Sequence, residues 1–366
     1  MVDLTYPENR DLENLAKIFR YFGEVETPKL NSNVYTAYSL GVAEDPEILA
    51  LAMQVLPSQP PPNVLYAAVK DLLLGDSDRS DAARDLARFY PSISGEAIPE
   101  ESAWPAFRRF CLKHTAELEP GLKTGRTQTC VVHRSAIMLP AIGHLPRVRA
   151  AGGRVGLLEI GPSAGLNLRL DRYRYAYRGA SGAADWGAPD ARPVLECEVR
   201  GDFVPPVPEA LDVVARRGLE LAPIDLADPL ALRWLRALIW PEHLERVKLM
   251  EEALAVASEV PVVIEAGDAT KDIEAAIRKL PPGAPRVVFA THAVYQMSRE
   301  GVVAMTDGVA AASREAPVDL IIMESDGSGA SRIDWLAFEA GARLDRKVIA
   351  RSDSHGRWID WGPSES

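Results

Sequence analysis

The chain has 366 residues, 47% of them hydrophobic and 25% charged, which is the composition of an ordinary globular protein long enough for two domains with full cores. With 41 basic against 52 acidic residues the formal net charge is −11. That balance argues against a nucleic-acid backbone or an anionic membrane as partner, because both call for a basic face that displaces counterions. Cys111, Cys130 and Cys197 have no metal-ligand spacing and are odd in number, so reduced thiols and no metal are expected. The polar start MVDLTYPENRDLENL has no leader pattern, and no apolar run reaches the roughly 20 residues that span a bilayer. A cytoplasmic protein is expected.

The first part reads as helical. Leu12, Leu15, Ile18, Phe19 and Phe22 keep helical spacing up to Gly23. Asp45-Pro46-Glu47 is a helix start: a capping side chain, a proline in the first turn, then an acid at the positive end. After the break at Pro57–Pro62, a helix burying Val64, Leu65, Ala68, Val69, Leu72 and Leu73 stops at Gly75, and another runs from Pro105 to Leu118. The spacing also predicts a helix over 128–142, with Arg126, Gln128, His133 and Arg134 near its start. The basic, turn-like stretch Pro146–Arg154 sets the expected boundary: a helical domain over 1–147 and a second domain over 148–366.

The second part alternates strand and helix. VGLLEI (155–160), GLELAPI (218–224), PVVIEAG (261–267), RVVFATHAV (286–294) and VDLIIMES (318–325) are apolar runs suited to buried parallel strands. Helical stretches over 231–258, 271–280 and 300–315 separate most of them. RYRYAYRG (172–179) and PVLECEVRG (193–201) suggest an inserted antiparallel hairpin, and 347–361 an edge strand or two. The predicted fold class is therefore α/β: a Rossmann-like, mostly parallel sheet with an inserted β-hairpin, preceded by an α-helical N-terminal domain.

The first strand runs into Gly161-Pro162-Ser163-Ala164-Gly165-Leu166-Asn167, read as a tight turn that opens a helix. Small residues let a backbone approach a ligand, and a helix N-terminus offers unpaired N–H groups to an anion. The dinucleotide fingerprint fits poorly, since Ser163 and Leu166 stand where glycines are needed. The nucleophile elbow G-x-S-x-G fits letter for letter, with Ser163 as nucleophile and Asp326 and His355 following in hydrolase order.

LLEIGPSAG also resembles the first motif of class I S-adenosylmethionine-dependent methyltransferases, an apolar strand, an acid, one residue, then G-x-G-x-G. Ser163 stands at the middle glycine. The resemblance implies that Glu159, Gly161, Ser163, Gly165 and Asn167 bind S-adenosylmethionine. It further implies that Glu220 accepts the ribose hydroxyls, that Asp268 and Ala269 meet the adenine, and that Thr291, His292 and Tyr295 line the reaction centre. His292 is the best-placed general base, and Tyr295 is the other catalytic candidate. Asn167 and Asp171, four apart, share a helical face and could instead anchor the inserted hairpin.

The whole chain, moreover, resembles a bacterial family catalogued as domain of unknown function 2332. Ser39–Asp45 with PPPNVLYAAVKDLLLG, Arg126-Thr127-Gln128-Thr129 with Arg134, GPSAGLNLRLDRYRY, RGLELAPIDL and RWLRALIWPEHLERVKLMEEAL carry that resemblance. It implies a fold rather than an activity. Where the family tends to have Gln-Thr-Asn-Glu, this chain has Gln128-Thr129-Cys130-Val131, so a polar pair acting there would be altered.

The expected function is thus a methyltransferase using S-adenosylmethionine on an unidentified small molecule. A serine hydrolase built on Ser163 and a non-catalytic ligand-binding scaffold are the alternatives. The first domain is expected to cover the strand ends, with Arg126, Gln128 and Arg134 reaching toward an anionic group of the ligand or acceptor. The oligomeric state stays open, a homo-oligomer included.

Overall fold

The computed structural model describes residues 11–75 and 80–362. Most of the polar start read for a leader lies outside them. The chain divides into two compact units, Met1–Thr129 with Asp225–Lys248, and Cys130–Ile224 with Leu249–Ser366. This differs from a boundary at 147/148: residues 130–147 group with the second unit, and 225–248 return to the first. The reason is burial. In the helix Ser135–Gly143 all nine residues are buried, and a helix without a polar face has to lie inside a unit.

In the first unit, Asp45 caps the helix Pro46–Ala52 as expected, and Asp11 caps the helix Leu12–Tyr21. The core is rich in aromatics, with Phe19, Tyr35, Tyr38, Tyr66, Phe107 and Trp240 buried together. The stretch 225–248 is held there by polar ties. Lys70, only 1% exposed, donates to the Ile239 carbonyl at 2.6 Å. Arg233 grips Asp71 through two 2.9 Å bonds, and Glu242 accepts from Ser32 Oγ at 2.7 Å and Val34 N at 2.8 Å. The single helix expected over 231–258 is two, Pro229–Ala237 and Leu244–Glu259, with Pro241, which has no N–H, between them.

The helix expected over 128–142 is also shorter. Residues 125–131 are irregular, Val132–Arg134 is one 3-10 turn, and the α-helix starts at Ser135. Thr127, Thr129, Val131 and Val132 are β-branched and disfavour helix. Arg126 and His133 therefore do not share a helical side.

The second unit is one eleven-stranded sheet. Its strands are β1 (Arg154–Ile160), β2 (Arg174–Gly179), β3 (Gly182–Trp186), β4 (Val194–Arg200), β5 (Asp212–Glu220), β6 (Val263–Ala266), β7 (Arg286–Thr291), β8 (Val318–Ser325), β9 (Ser331–Glu339), β10 (Ala342–Ser352) and β11 (Trp358–Trp361). They lie in the order β3-β2-β4-β11-β10-β9-β8-β7-β1-β5-β6. From β6 to β8 every pair is parallel, which is the doubly wound half. β8, β9, β10 and β11 then pair antiparallel in turn, and β4 joins β11 in parallel. The hairpin expected from 172–179 and 193–201 is corrected: β2 and β4 run parallel, and the antiparallel partner of β2 is β3, formed by the small-residue stretch between them. The strands expected at an edge over 347–361 lie inside the sheet, and β3 and β6 are the edges.

Helices Ala269–Arg278 and Arg299–Ala312 cover one face, where Leu158, Ile160, Leu219, Val288, Ala290 and Leu320 join Ile273, Ile277, Met305 and Val309. Side chains alternate along a strand, so Glu159 and Glu220 point to the opposite face.

Burial pushes the Lys70 ammonium well below its ordinary 10.5, to about 7. The unfolded chain therefore binds more protons than the folded one between those values, and stability rises with pH across that window. Lys70→Met should flatten this rise in pH-resolved thermal melts. Equal slopes for variant and wild type would contradict the assignment.

Candidate functional site at the carboxyl ends of the central strands

The strand order turns at β1. The chain continues from β1 to β5 and β6 on one side and then crosses to β7 and β8 on the other. In open α/β sheets ligands bind outside the carboxyl ends of strands at such a switch point. Three of these strands end in glutamates: Glu159 in β1, Glu220 closing β5 and Glu324 near the end of β8.

The turn after β1 is shaped by its own packing. Gly161, Ser163 and Gly165 have φ of 66°, 53° and 67°, in the left-handed region that glycine tolerates and serine seldom adopts. A Cβ on Gly161 would lie 2.8 Å from the Ala293 Cβ. Gly161 N donates to Leu219 O at 3.0 Å, and Ser163 N donates to Glu220 Oε2 at 3.0 Å. The expected α-helix does not follow. Leu166–Arg172 is a 3-10 helix with a kink at Arg169, whose guanidinium donates to Gly165 O and to Val260 O, both at 2.8 Å. The turn therefore does not present the N-terminus of an α-helix to an anion.

Glu159 is 1% exposed. Its Oε2 has no hydrogen-bond partner. Burial, opposed by the Asn167 amide and Arg134 and reinforced by Glu220, pushes its carboxyl up to about 8. Ser135 Oγ and the Asn167 amide share a 2.9 Å bond. Asn167 thus ties the turn to the helix Ser135–Gly143, while Asp171 pairs with the buried Arg216 in β5. The Cys130 thiol is pushed up to about 12 by burial and then by Glu159, so it is inert as a nucleophile.

Arg134 reaches the same strand ends. Its Nε donates to Ser354 O at 2.9 Å and its Nη1 to Thr291 O at 3.1 Å, and it interacts electrostatically with Glu324 and Glu159. Nη2 makes no hydrogen bond among the described residues. Thr291 ends β7 and is buried.

His292 follows with φ of 54°. Its Nε2 lies 2.9 Å from Ser331 Oγ, and burial, helped by Arg134, pushes it down to about 4, leaving a neutral ring. Glu324 Oε1 accepts from Ala293 N at 2.9 Å and Val294 N at 2.7 Å. Tyr295, on the same turn, is 68% exposed.

The other candidates have ties of their own. Asp268 caps the helix Ala269–Arg278, accepting from Thr270 N at 2.9 Å and Oγ1 at 2.7 Å, and pairs with Lys271 at 3.0 Å. Arg126 and Gln128 belong to the first unit, where the Arg126 carbonyl accepts from Trp234 Nε1 at 2.9 Å. Asp326 is turned into its own loop, accepting from Ser328 N at 2.8 Å and Oγ at 2.6 Å. Glu324 and Ser331 were not singled out from the sequence, although an acid near the end of an apolar strand is the signal that marks Glu159 and Glu220. No helix among the described residues is long and apolar enough to cross a membrane, and none of their His, Cys, Asp and Glu side chains form a group of three or more able to hold a metal ion.

Fold and site together define an α/β protein with an open, mostly parallel sheet and a buried polar cluster at its switch point. The chain belongs to the family described as uncharacterized protein conserved in bacteria (DUF2332), whose model matches residues 16–361. Neither the curated proteins nor the solved structures contain a match to it.

The buried carboxyl yields a stability test. Because the folded state holds the Glu159 proton more tightly, stability falls as pH rises from the ordinary 4.5 toward about 8. Glu159→Gln removes that loss. It should raise stability by about 1–3 kcal/mol at alkaline pH, with no gain below the ordinary carboxyl value. Denaturant titrations at several pH values check this, and a destabilised variant at alkaline pH would show that the carboxylate is compensated.

Proposed function

We propose that the chain is an S-adenosylmethionine-dependent methyltransferase acting on a small molecule. The observation that carries this reading is the Glu159 oxygen, buried without a partner at the switch point. A fold does not leave such a group unpaired without cost, and ligand donors would satisfy it.

The residues present fit the donor. Its amino-acid end is a zwitterion, and Glu159 and Arg134 are the complementary pair: an acceptor oxygen for the ammonium and a guanidinium Nη2 for the carboxylate. Glu220 would meet the ribose, and Asp268 the adenine amino group. Bound there, S-adenosylmethionine supplies a methyl carbon activated by a cationic sulfonium, so the protein's task is alignment and exclusion of water. Arg134 is already oriented for this by the Thr291 and Ser354 carbonyls.

One observation favours a second reading. The φ of 53° at Ser163 is the conformation of a nucleophile elbow, and a serine hydrolase would use Ser163 there. The engagement of Asp326 with Ser328 weighs against it.

Calorimetric titration should give saturable heats with S-adenosylmethionine and S-adenosylhomocysteine. Glu159→Gln and Arg134→Ala should each weaken binding tenfold or more, about 1.4 kcal/mol, while remaining folded. Arg134→Ala that melts early but binds normally would make Arg134 purely structural. No heat and no thermal shift at millimolar ligand would overturn the proposal. A fluorophosphonate probe should leave Ser163 unlabelled, and labelling there would favour the hydrolase.

A further inference from the structure

Glu324 does two things with its two oxygens. Oε1 accepts the N–H groups of Ala293 and Val294 and so fixes the turn that carries Tyr295. Oε2 is buried without a partner. Fixing the turn explains the first oxygen and leaves the second unexplained.

His292 Nδ1 lies 3.9 Å from that oxygen. That is too long for a hydrogen bond. One donor atom, about 2.9 Å from each, can bridge such a separation. On its other side the ring is pinned by Ser331 Oγ, fully buried, at 2.9 Å. With Nε2–H donating to Ser331, Nδ1 turns its lone pair to the gap. Glu324 interacts electrostatically with Arg134, and the two atoms that face the gap, Glu324 Oε2 and His292 Nδ1, are both acceptors. Two facing acceptors call for a donor, and the carboxyl among them favours a charged one.

We propose that Glu324 and His292 form the acceptor subsite and that the acceptor is an amine, held as an ammonium between Glu324 Oε2 and His292 Nδ1. This rests on the methyltransferase reading for the transfer itself. The ammonium passes one N–H proton to Glu324 Oε2. The freed nitrogen lone pair forms the new N–C bond, and the C–S bond breaks with its electron pair left on sulfur. The product leaves as the N-methylammonium, and Glu324 returns its proton to solvent. Burial raises the Glu324 carboxyl, against the three backbone N–H groups of residues 293–295 and Arg134, which makes it a better proton acceptor than a free carboxylate. His292 is a positioning residue: pushed down to about 4, it stays neutral and accepts without becoming charged.

The test reads binding rather than turnover. The protein saturated with S-adenosylhomocysteine is titrated with hexylamine and, as the neutral control, hexanol. Calorimetry and the His292 ring signals in NMR, assigned by their loss in His292→Gln, report occupancy. Hexylamine should bind saturably and shift those signals, and hexanol should do neither. Glu324→Gln keeps an amide oxygen for the 293–295 turn. It should weaken hexylamine tenfold or more while leaving S-adenosylhomocysteine binding within twofold and the thermal midpoint unchanged. Equal binding of hexanol, hexylamine binding unchanged by Glu324→Gln, or no saturable amine binding would each overturn the inference. If S-adenosylhomocysteine gives no heat, the same titration is run on the protein alone. Amine binding that needs Glu324 would then keep the subsite and remove the donor reading.

Discussion

A carboxyl group held almost out of reach of water at the end of the central strand is the constraint on which the second unit depends. Glu159 has to be on the face opposite Leu158 and Ile160, because side chains alternate along β1. The groups found there answer to that carboxyl: Arg134 with its positive charge, Asn167 with its amide, and Glu220 with a charge of the same sign. Burial of an acid without full compensation is destabilising, and such a feature persists where the group is used.

The surrounding architecture keeps that cluster in place without drawing on it. Gly161 and Gly165 are explained by left-handed backbone and close packing. The Arg169 guanidinium holds carbonyls on both sides of the kink, and the Asp171–Arg216 pair ties the turn to β5. Arg134 bridges the ends of two separate chain segments through Thr291 and Ser354. The turn after β7 is fixed by a side chain from β8. The polar groups at the strand ends are thus positioned by elements far apart in sequence, as a preorganised site requires.

The first unit solves a different problem by related means. Its aromatic core draws Trp240 from a stretch inserted after β5. The insertion is secured by buried polar bonds, Lys70 to Ile239 and Glu242 to Ser32 and Val34. Each satisfies a backbone or side-chain group that burial would otherwise leave unpaired.

Local chemistry made much of this legible from the sequence alone. Continuous apolar runs marked β1, β7 and β8, because a strand covered on both faces cannot alternate. Asp45 marked a helix start, since capping is a contact within one turn. Glu159 stood out as an acid inside an apolar strand. What the sequence could not decide was long-range. Whether β2 pairs with β3 or β4, whether β10 and β11 lie at an edge, and which unit receives 225–248 depend on partners distant in the chain. The start of the helix expected over 128–142 and the α-helix expected after Gly165 gave way to β-branched residues and tertiary hydrogen bonds. The pairing of Glu324 with the His292 turn was equally out of reach: an acid near a strand end acquires its meaning only from the backbone N–H groups that a neighbouring strand brings to it.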